Sequence, residues 1–461
     1  MVLLLLLSLI KFTFAQQYAL YNSRTLFDSF ENPSQKAFQV DSSRKYAFNF
    51  FFPTVSLNGT YNGQSQNAFK SVISSDNINT GDIILGANQM NTFHLNSNLY
   101  IAMFRVFSNV KQNTEMGISW QVRNDGEVNV SNEALAIFNN FNLFTNDQYS
   151  YKNSGSNQSY HQVSYTYRED YDKRLALGIK LSLLNGITFN GIKNSNTLLN
   201  IDRGNDSVSI LLNGTYRSNF KFSDMNQNLV LPKLKNLGFS FGLSSSYKLK
   251  NKWLILGNLK DIGFIKWDNK SSYIYKLNDT VQIKGTANGF GTRLNDRLNE
   301  VFINAENQAG FTSLTNGKAE ILINKNLRNY QPNLILSKNL FYKGGDIALI
   351  HNYKIKNLVY TLSTGYNLDN NIQVGAQAML KTPNAEMYIG SGQLLTTYNT
   401  ASSILRNNFD GKNHSGVSFY FGLAFKFGPD MENQHNANTI PGMEDTNTNF
   451  SGFFRRIFSK K

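Results

Sequence analysis

The chain has 461 residues, a formal net charge of +14, no cysteine, 35 Phe and 23 Tyr. Mean hydropathy is −0.35, and no window beyond the first residues reaches the ~18 consecutive apolar residues of a spanning helix, so a helical membrane bundle is excluded. A hydrophobic share of 41% excludes a solvated, disordered chain, while Lys and Arg too scattered to form a basic stripe exclude nucleic acid as a partner.

In chain order, residues 1–15 read as a secretory signal peptide. Val2–Ile10 is an apolar run broken only by Ser8, Thr13 and Ala15 are the small residues before a cleavage site, and Gln16 would start the mature chain. No Lys or Arg precedes the run, and a membrane anchor is the other reading of it. Residues 16–45 show no period and are expected to form a plug segment.

Period-two alternation dominates residues 46–428. Leu175, Leu177, Ile179, Leu181 and Leu183 alternate with Ala176, Gly178, Lys180 and Ser182. Leu237, Phe239, Phe241 and Leu243 repeat the pattern, as do Val417, Phe419, Phe421, Leu423, Phe425 and Phe427. Alternation alone suits a soluble sandwich with its apolar face inward or a transmembrane barrel with that face in lipid. The barrel is favoured by strands near the ~9–11 residues of a tilted spanning strand, and by a second face rich in Gly and Ser. Tyr247, Trp253, Trp267 and Tyr366 sit at strand ends, where an aromatic girdle belongs. Asn124–Gly126, Lys248–Lys252 and Leu368–Asn371 read as turns, the last two on the periplasmic side, which carries the short connections.

Two stretches break the strand period. Ser131–Phe144 can start a helix with Ser131 as N-cap and places Ala134, Ile137, Phe138 and Phe141 on one face. Residues 292–303 place Leu294, Leu298, Val301 and Phe302 similarly; a strand broken by polar residues is the alternative for both. Residues 429–461 form a polar periplasmic tail. Its end sets Phe454 and Phe458 beside Arg455 and Arg456, a surface for a periplasmic or secretion partner or a membrane leaflet, unless it is a frayed basic end.

No catalytic residue, metal site or cofactor is assigned. The five histidines are far apart, and without Cys a thiolate site is excluded. The charge cluster from Arg168 to Arg174 reads as a solvated strand-end loop whose cations keep its carboxylates ionised. An enzyme is not expected.

Several stretches resemble a Bacteroidota outer-membrane barrel family of unknown function, related in plan to the long-chain fatty-acid outer-membrane transporters. Glu31-Asn32-Pro33-Ser34 looks like an Asn-Pro-Ala element of the plug region, with Ser34 in place of Ala. Leu259–Trp267 contains Asp261, Gly263, Phe264 and Trp267 in an Asp-x-Gly-Phe-x-x-Trp element that looks like one recurring in such barrels. Tyr165–Gly186 and Met387–Gly428 resemble a strand pair and the closing region. The resemblance implies an all-β, transmembrane antiparallel β-barrel of about 14 strands with an N-terminal plug and short helical insertions. It implies a monomer in outer-membrane lipid that passes a small hydrophobic solute, with Glu31–Ser34, Phe138 and Phe141 as gating parts. The alternative is a non-transporting factor that binds secretion or surface-assembly proteins.

Overall fold

The computed structural model describes residues 18–38, 44–63, 65, 83–86, 89–107, 113–137, 141–194, 197–221, 234–286, 289–368, 371–406 and 415–430. The strands, in chain order, begin with β1 (Arg44–Phe48), β2 (Thr54–Asn62), β3 (Met90–Phe107), β4 (Thr114–Ser131), β5 (Gln148–Tyr151), β6 (Ser154–Asp170) and β7 (Leu175–Asn194). They continue with β8 (Thr197–Asp202), β9 (Ser207–Ser218), β10 (Leu237–Lys248), β11 (Trp253–Trp267), β12 (Tyr273–Lys284), β13 (Glu306–Gln308) and β14 (Phe311–Leu314). The last are β15 (Lys318–Lys325), β16 (Tyr330–Asn339), β17 (Gly345–Ile355), β18 (Leu358–Asn367), β19 (Asn371–Lys381), β20 (Ala385–Ser391) and β21 (Ser415–Asp430).

Every pairing is antiparallel, and the ladder closes on itself. β1 and β2 lie end to end between β21 and β3, and β14 and β15 lie end to end along β11. Counting each of those pairs as one wall position gives a closed barrel of 14 strands. The alternation expected from the sequence sets its two faces. Gly416, Ser418, Tyr420, Gly422, Ala424 and Lys426 of β21 are buried, whereas Val417, Phe419 and Phe427 are exposed. Leu181, Leu183, Phe239, Leu243, Leu336, Tyr360 and Leu362 are likewise exposed on the outside. Apolar residues facing outward around a closed ladder, over a polar interior, fit lipid as the surrounding solvent.

The two rims differ. β6–β7, β10–β11, β15–β16, β17–β18 and β19–β20 are joined by short turns at one rim, while the long connections leave the other. The Lys248–Lys252 turn lies at the short-turn rim, as expected. The Leu368–Asn371 turn does not: β18 runs from the short-turn rim toward the long-loop rim, so the turn that ends it falls there. Asn124–Gly126 is no turn at all. These residues continue β4, paired on both edges with Asn96 and Asn157 and their neighbours.

Above the long-loop rim the chain builds a second layer. Upper β7 pairs with β9, β9 pairs with β8 and β12, β8 with β5, and β12 with β13. The helix Phe290–Asn304 packs on this sheet through Phe290, Leu294, Leu298, Val301 and Phe302, all buried. The helix opened by Ser131 is shorter than expected, Asn132–Ala136, although Ser131 Oγ does accept the Ala134 N–H at 3.2 Å. Its Ala134, Leu135 and Ala136 join the same apolar core.

Candidate functional site

Residues 18–38 pass through the barrel interior and meet strands around much of the wall. The short helix Leu26–Glu31 is N-capped by Thr25, whose hydroxyl accepts the Asp28 N–H at 3.1 Å. Its apolar side, Leu26, Phe27 and Phe30, is buried with Tyr100, Met103, Phe107, Tyr388 and Tyr420 of the wall. Its polar anchors are side-chain hydrogen bonds. The Leu26 N–H donates to Glu386 at 2.7 Å, the Ala37 N–H to Glu115 at 3.2 Å, and Lys381 donates to the Arg24 carbonyl at 2.9 Å. Arg105 bridges Glu115 (2.7 Å) and the Ser29 carbonyl (2.9 Å).

Glu31–Ser34 lies at the centre of this contact. One Glu31 oxygen accepts from Tyr100 at 2.6 Å and Asn98 at 3.0 Å. The other meets Lys260 and, at 3.4 Å, Arg123. Asn32 is fully buried, and its backbone N–H donates to the Asp28 carbonyl at 2.7 Å, ending the helix. Pro33 sits so close to β7 that a Cβ at Gly178 would collide with its backbone, which explains a glycine there. The Ser34 N–H donates to Ser244 at 2.6 Å and its carbonyl accepts from Arg168 at 3.0 Å. Arg168 and Glu169 are therefore buried rather than solvated; only Asp172, Lys173 and Arg174 of the turn are exposed. The sequence reading missed this because charged residues at a strand end look alike whether water or a second segment covers them.

Asp261 faces the same point from the wall. It pairs with Arg123, with Lys180 at 3.3 Å, and accepts from Gln162 at 2.9 Å. Glu320 completes the set through Tyr21 at 2.9 Å and Asn258 at 3.0 Å. Glu31, Asp261 and Glu320 are thus interleaved with Arg123, Lys180 and Lys260, so none of these six charges is buried alone. Burial pushes the Glu31 carboxyl up, but Lys260, Arg123 and Lys180 outweigh it and hold the group well below the usual carboxylate range.

A β-bulge makes this arrangement possible. Phe241 pairs with Ile262 and Leu243 with Leu259, so Lys260 and Asp261 together face one residue of β10. Asp261 takes a left-handed φ of 50°, tolerable for Asp. Two consecutive charged residues consequently point inward. The bulge also inverts the side-chain order beyond it. Trp253, before it, is exposed on the outside, whereas Trp267, after it, is 1% exposed. Trp267 therefore does not stand in the aromatic girdle expected from its position at a strand end. Its ring lies against Phe189 and Phe311, and its indole N–H donates to Ser313 at 2.8 Å. Phe264 faces out, and a Cβ at Gly263 would collide with the Phe239 carbonyl.

Phe141 belongs elsewhere: its ring meets Phe290 at 4.5 Å and Phe144 at 5.5 Å in the core above the rim, a different layer from Glu31–Ser34. Phe138, Phe454, Arg455, Arg456 and Phe458 lie outside the described residues. Among the described residues no group of three His, Asp or Glu is placed to hold a metal ion.

Cavities flank residues 18–38 on both sides. Toward the short-turn rim, one of ≈ 780 Å³ is lined by Arg24, Lys248, Lys252, Lys354 and Lys381 together with apolar Trp253, Val359 and Met379. Toward the long-loop rim, one of ≈ 100 Å³ is lined by polar groups, among them Asn58, His94, Asp125, Tyr342 and Asp346.

Closed, antiparallel, apolar outside and polar within, the molecule is a transmembrane β-barrel of the outer-membrane type. The chain belongs to the family of unknown function DUF5723, whose model matches residues 37–392. No curated protein matches it. Among solved structures it is similar to the Pseudomonas putida toluene transporter TodX, at 7% identity over 90% of this chain and 96% of that one, with a TM-score of 0.41. The Ralstonia pickettii toluene transporter TbuX matches at 8% over 84% and 90%, TM-score 0.38. A Pseudomonas aeruginosa FadL homologue matches at 9% over 84% and 91%, TM-score 0.40.

Proposed function

We propose that the protein is a gated conduit that passes a small hydrophobic solute with a polar, anionic head across the outer membrane, with residues 18–38 as its plug. The observation that carries this reading is how the segment is held. It occupies the lumen through ion pairs, side-chain hydrogen bonds and one aromatic cluster, and joins no strand ladder among the described residues. A segment so attached can leave or shift without unzipping the wall. The cavity beside it supports the solute class, since cations and apolar side chains share one lining. Glu31–Ser34 is the gating contact and Asp261 its counterpart on the wall.

The test is uptake into lipid vesicles containing the refolded protein, using fluorescent amphiphiles with anionic, neutral and cationic heads. Anionic probes should enter fastest, and faster still through Glu31→Gln, which weakens the plug's hold. Uptake no faster than in protein-free vesicles, for the native chain and for Glu31→Gln alike, would overturn the reading.

A further inference from the structure

Among the described residues the strand ladder covers only part of one edge of β21. β20 pairs with it only from Phe425 to Tyr420. From Phe419 to Ser415, β21 pairs with β2 on one edge and with no described strand on the other. The helix Leu394–Arg406 occupies that other edge. The Gly416 N–H donates to Thr400 Oγ1 at 3.0 Å and the Ser418 N–H to Thr397 Oγ1 at 2.9 Å, so threonine hydroxyls take the place of ladder carbonyls.

The helix is inside out by the standard of a water-soluble one. Its polar side is buried, with Thr400 1% and Thr396 9% exposed. Its apolar side is open: Leu394, Tyr398, Ala401 and Leu405 fall at i, i+4, i+7 and i+11, on one face, and Tyr398 and Leu405 are 67% and 86% exposed. Water would penalise that orientation, because it hides hydroxyls and displays Leu. Hydrocarbon favours it. The neighbours agree, since Val417 and Phe419, which flank the bonded Gly416 and Ser418 along β21, face outward and are exposed, as are Ile372 of β19 and Ile389 of β20. The apolar side of the helix therefore continues the outward-facing belt of the barrel.

We propose that Leu394–Arg406 is a helical panel of the membrane wall whose apolar side contacts the acyl chains of the outer leaflet. It is not an aqueous loop. Exposed Arg406 ends the panel toward the long-loop rim, where its guanidinium meets lipid headgroups. The inference does not depend on transport.

The native chain has no cysteine, so single substitutions can each carry one nitroxide label. Tyr398→Cys and Leu405→Cys would be compared with Ile372→Cys on β19 and Ile303→Cys on the layer above the rim, in the full chain refolded into phosphatidylcholine vesicles. Heat-modifiable migration in gels would check that each variant folds. Collision with oxygen, which concentrates in lipid, and with a water-soluble nickel chelate would be read by power saturation. Positions 398 and 405 should share the high oxygen-to-nickel ratio of 372 and exceed that of 303. A ratio like that of 303 would place the helix in water and overturn the proposal. Low accessibility to both reagents would do so too, by showing a second copy or another protein over the face.

Discussion

The barrel and the layer above its long-loop rim are built from the same residue types in the same strand pattern, yet they are opposites. In the barrel, Leu362 and Phe239 face out and Arg105, Glu115 and Lys180 are enclosed. In the upper layer, Leu199, Ile210, Tyr275 and Leu294 are enclosed, and the charged Arg297 and Glu300 of the covering helix stand in solvent. Each region turns the groups its surroundings tolerate toward those surroundings, so the position of the membrane is written in the change from one rule to the other.

The contrast can be broken most severely at the enclosed charges. Arg123→Met leaves Asp261 and Glu31 with fewer cations in the lumen, and loss of one partner from a buried ionic set costs ~3–5 kcal/mol, here at the low end because Lys180 and Lys260 remain. Faster hydrogen exchange across residues 26–35 would register it, with wall amides of β16–β18 unchanged. Exchange unaltered at 26–35 would mean that the ionic set does not hold the segment.

A direct comparison uses two outward-facing residues of similar exposure. Leu362 is 50% exposed at the middle of β18 and Ile303 is 58% exposed on the upper helix. Leu362→Arg should cost ~2–4 kcal/mol near a bilayer midplane, and Ile303→Arg should stay within ~0.5 kcal/mol, as at an ordinary wet surface. Urea unfolding from vesicles measures both. Equal costs would erase the distinction between the regions.

The smallest effect concerns Asp28, on the buried helix of the lumen segment. Burial pushes its carboxyl up to about 7, more than Lys381 and the Arg24 N–H pull it back. A raised acid favours the docked state while it is protonated. That contribution is whole below the ordinary Asp value of ~4 and is lost as pH rises through about 7. Protection of the 26–31 amides, corrected for intrinsic exchange, should therefore fall between pH 5.5 and 8.5, and Asp28→Asn should flatten the change.

Much of the barrel is legible in the sequence because period two is a local property. The faces of 175–183, 237–243 and 416–427 follow from counting residues. Which solvent each face meets is not local, so the strands of the upper layer, which alternate in the same way, carry no mark that separates them from the wall. The Asn-Asp-Gly at 124–126 is a strong turn signal overridden by neighbours on both edges of β4. The helix Leu394–Arg406 was open to detection through Leu394, Tyr398, Ala401 and Leu405, but Gly390 and Gly392 just before it suggest a strand end and a turn. At the site, Glu31–Ser34 and Asp261 are visible as motif residues. Their meeting is not, because it joins positions 230 residues apart through a bulge that pattern counting smooths over.

That bulge carries a consequence for how the chain can change. In a surface loop the loss of one codon would only shorten the connection. At Lys260–Asp261 it would act as a structural frameshift: every side chain from Ile262 to Trp267 would exchange its surroundings, sending Phe264 inward and the indole of Trp267 out. Substitution there is graded, since each residue type fits more or less well; deletion is all or nothing. The strand should therefore admit many spellings but only one length.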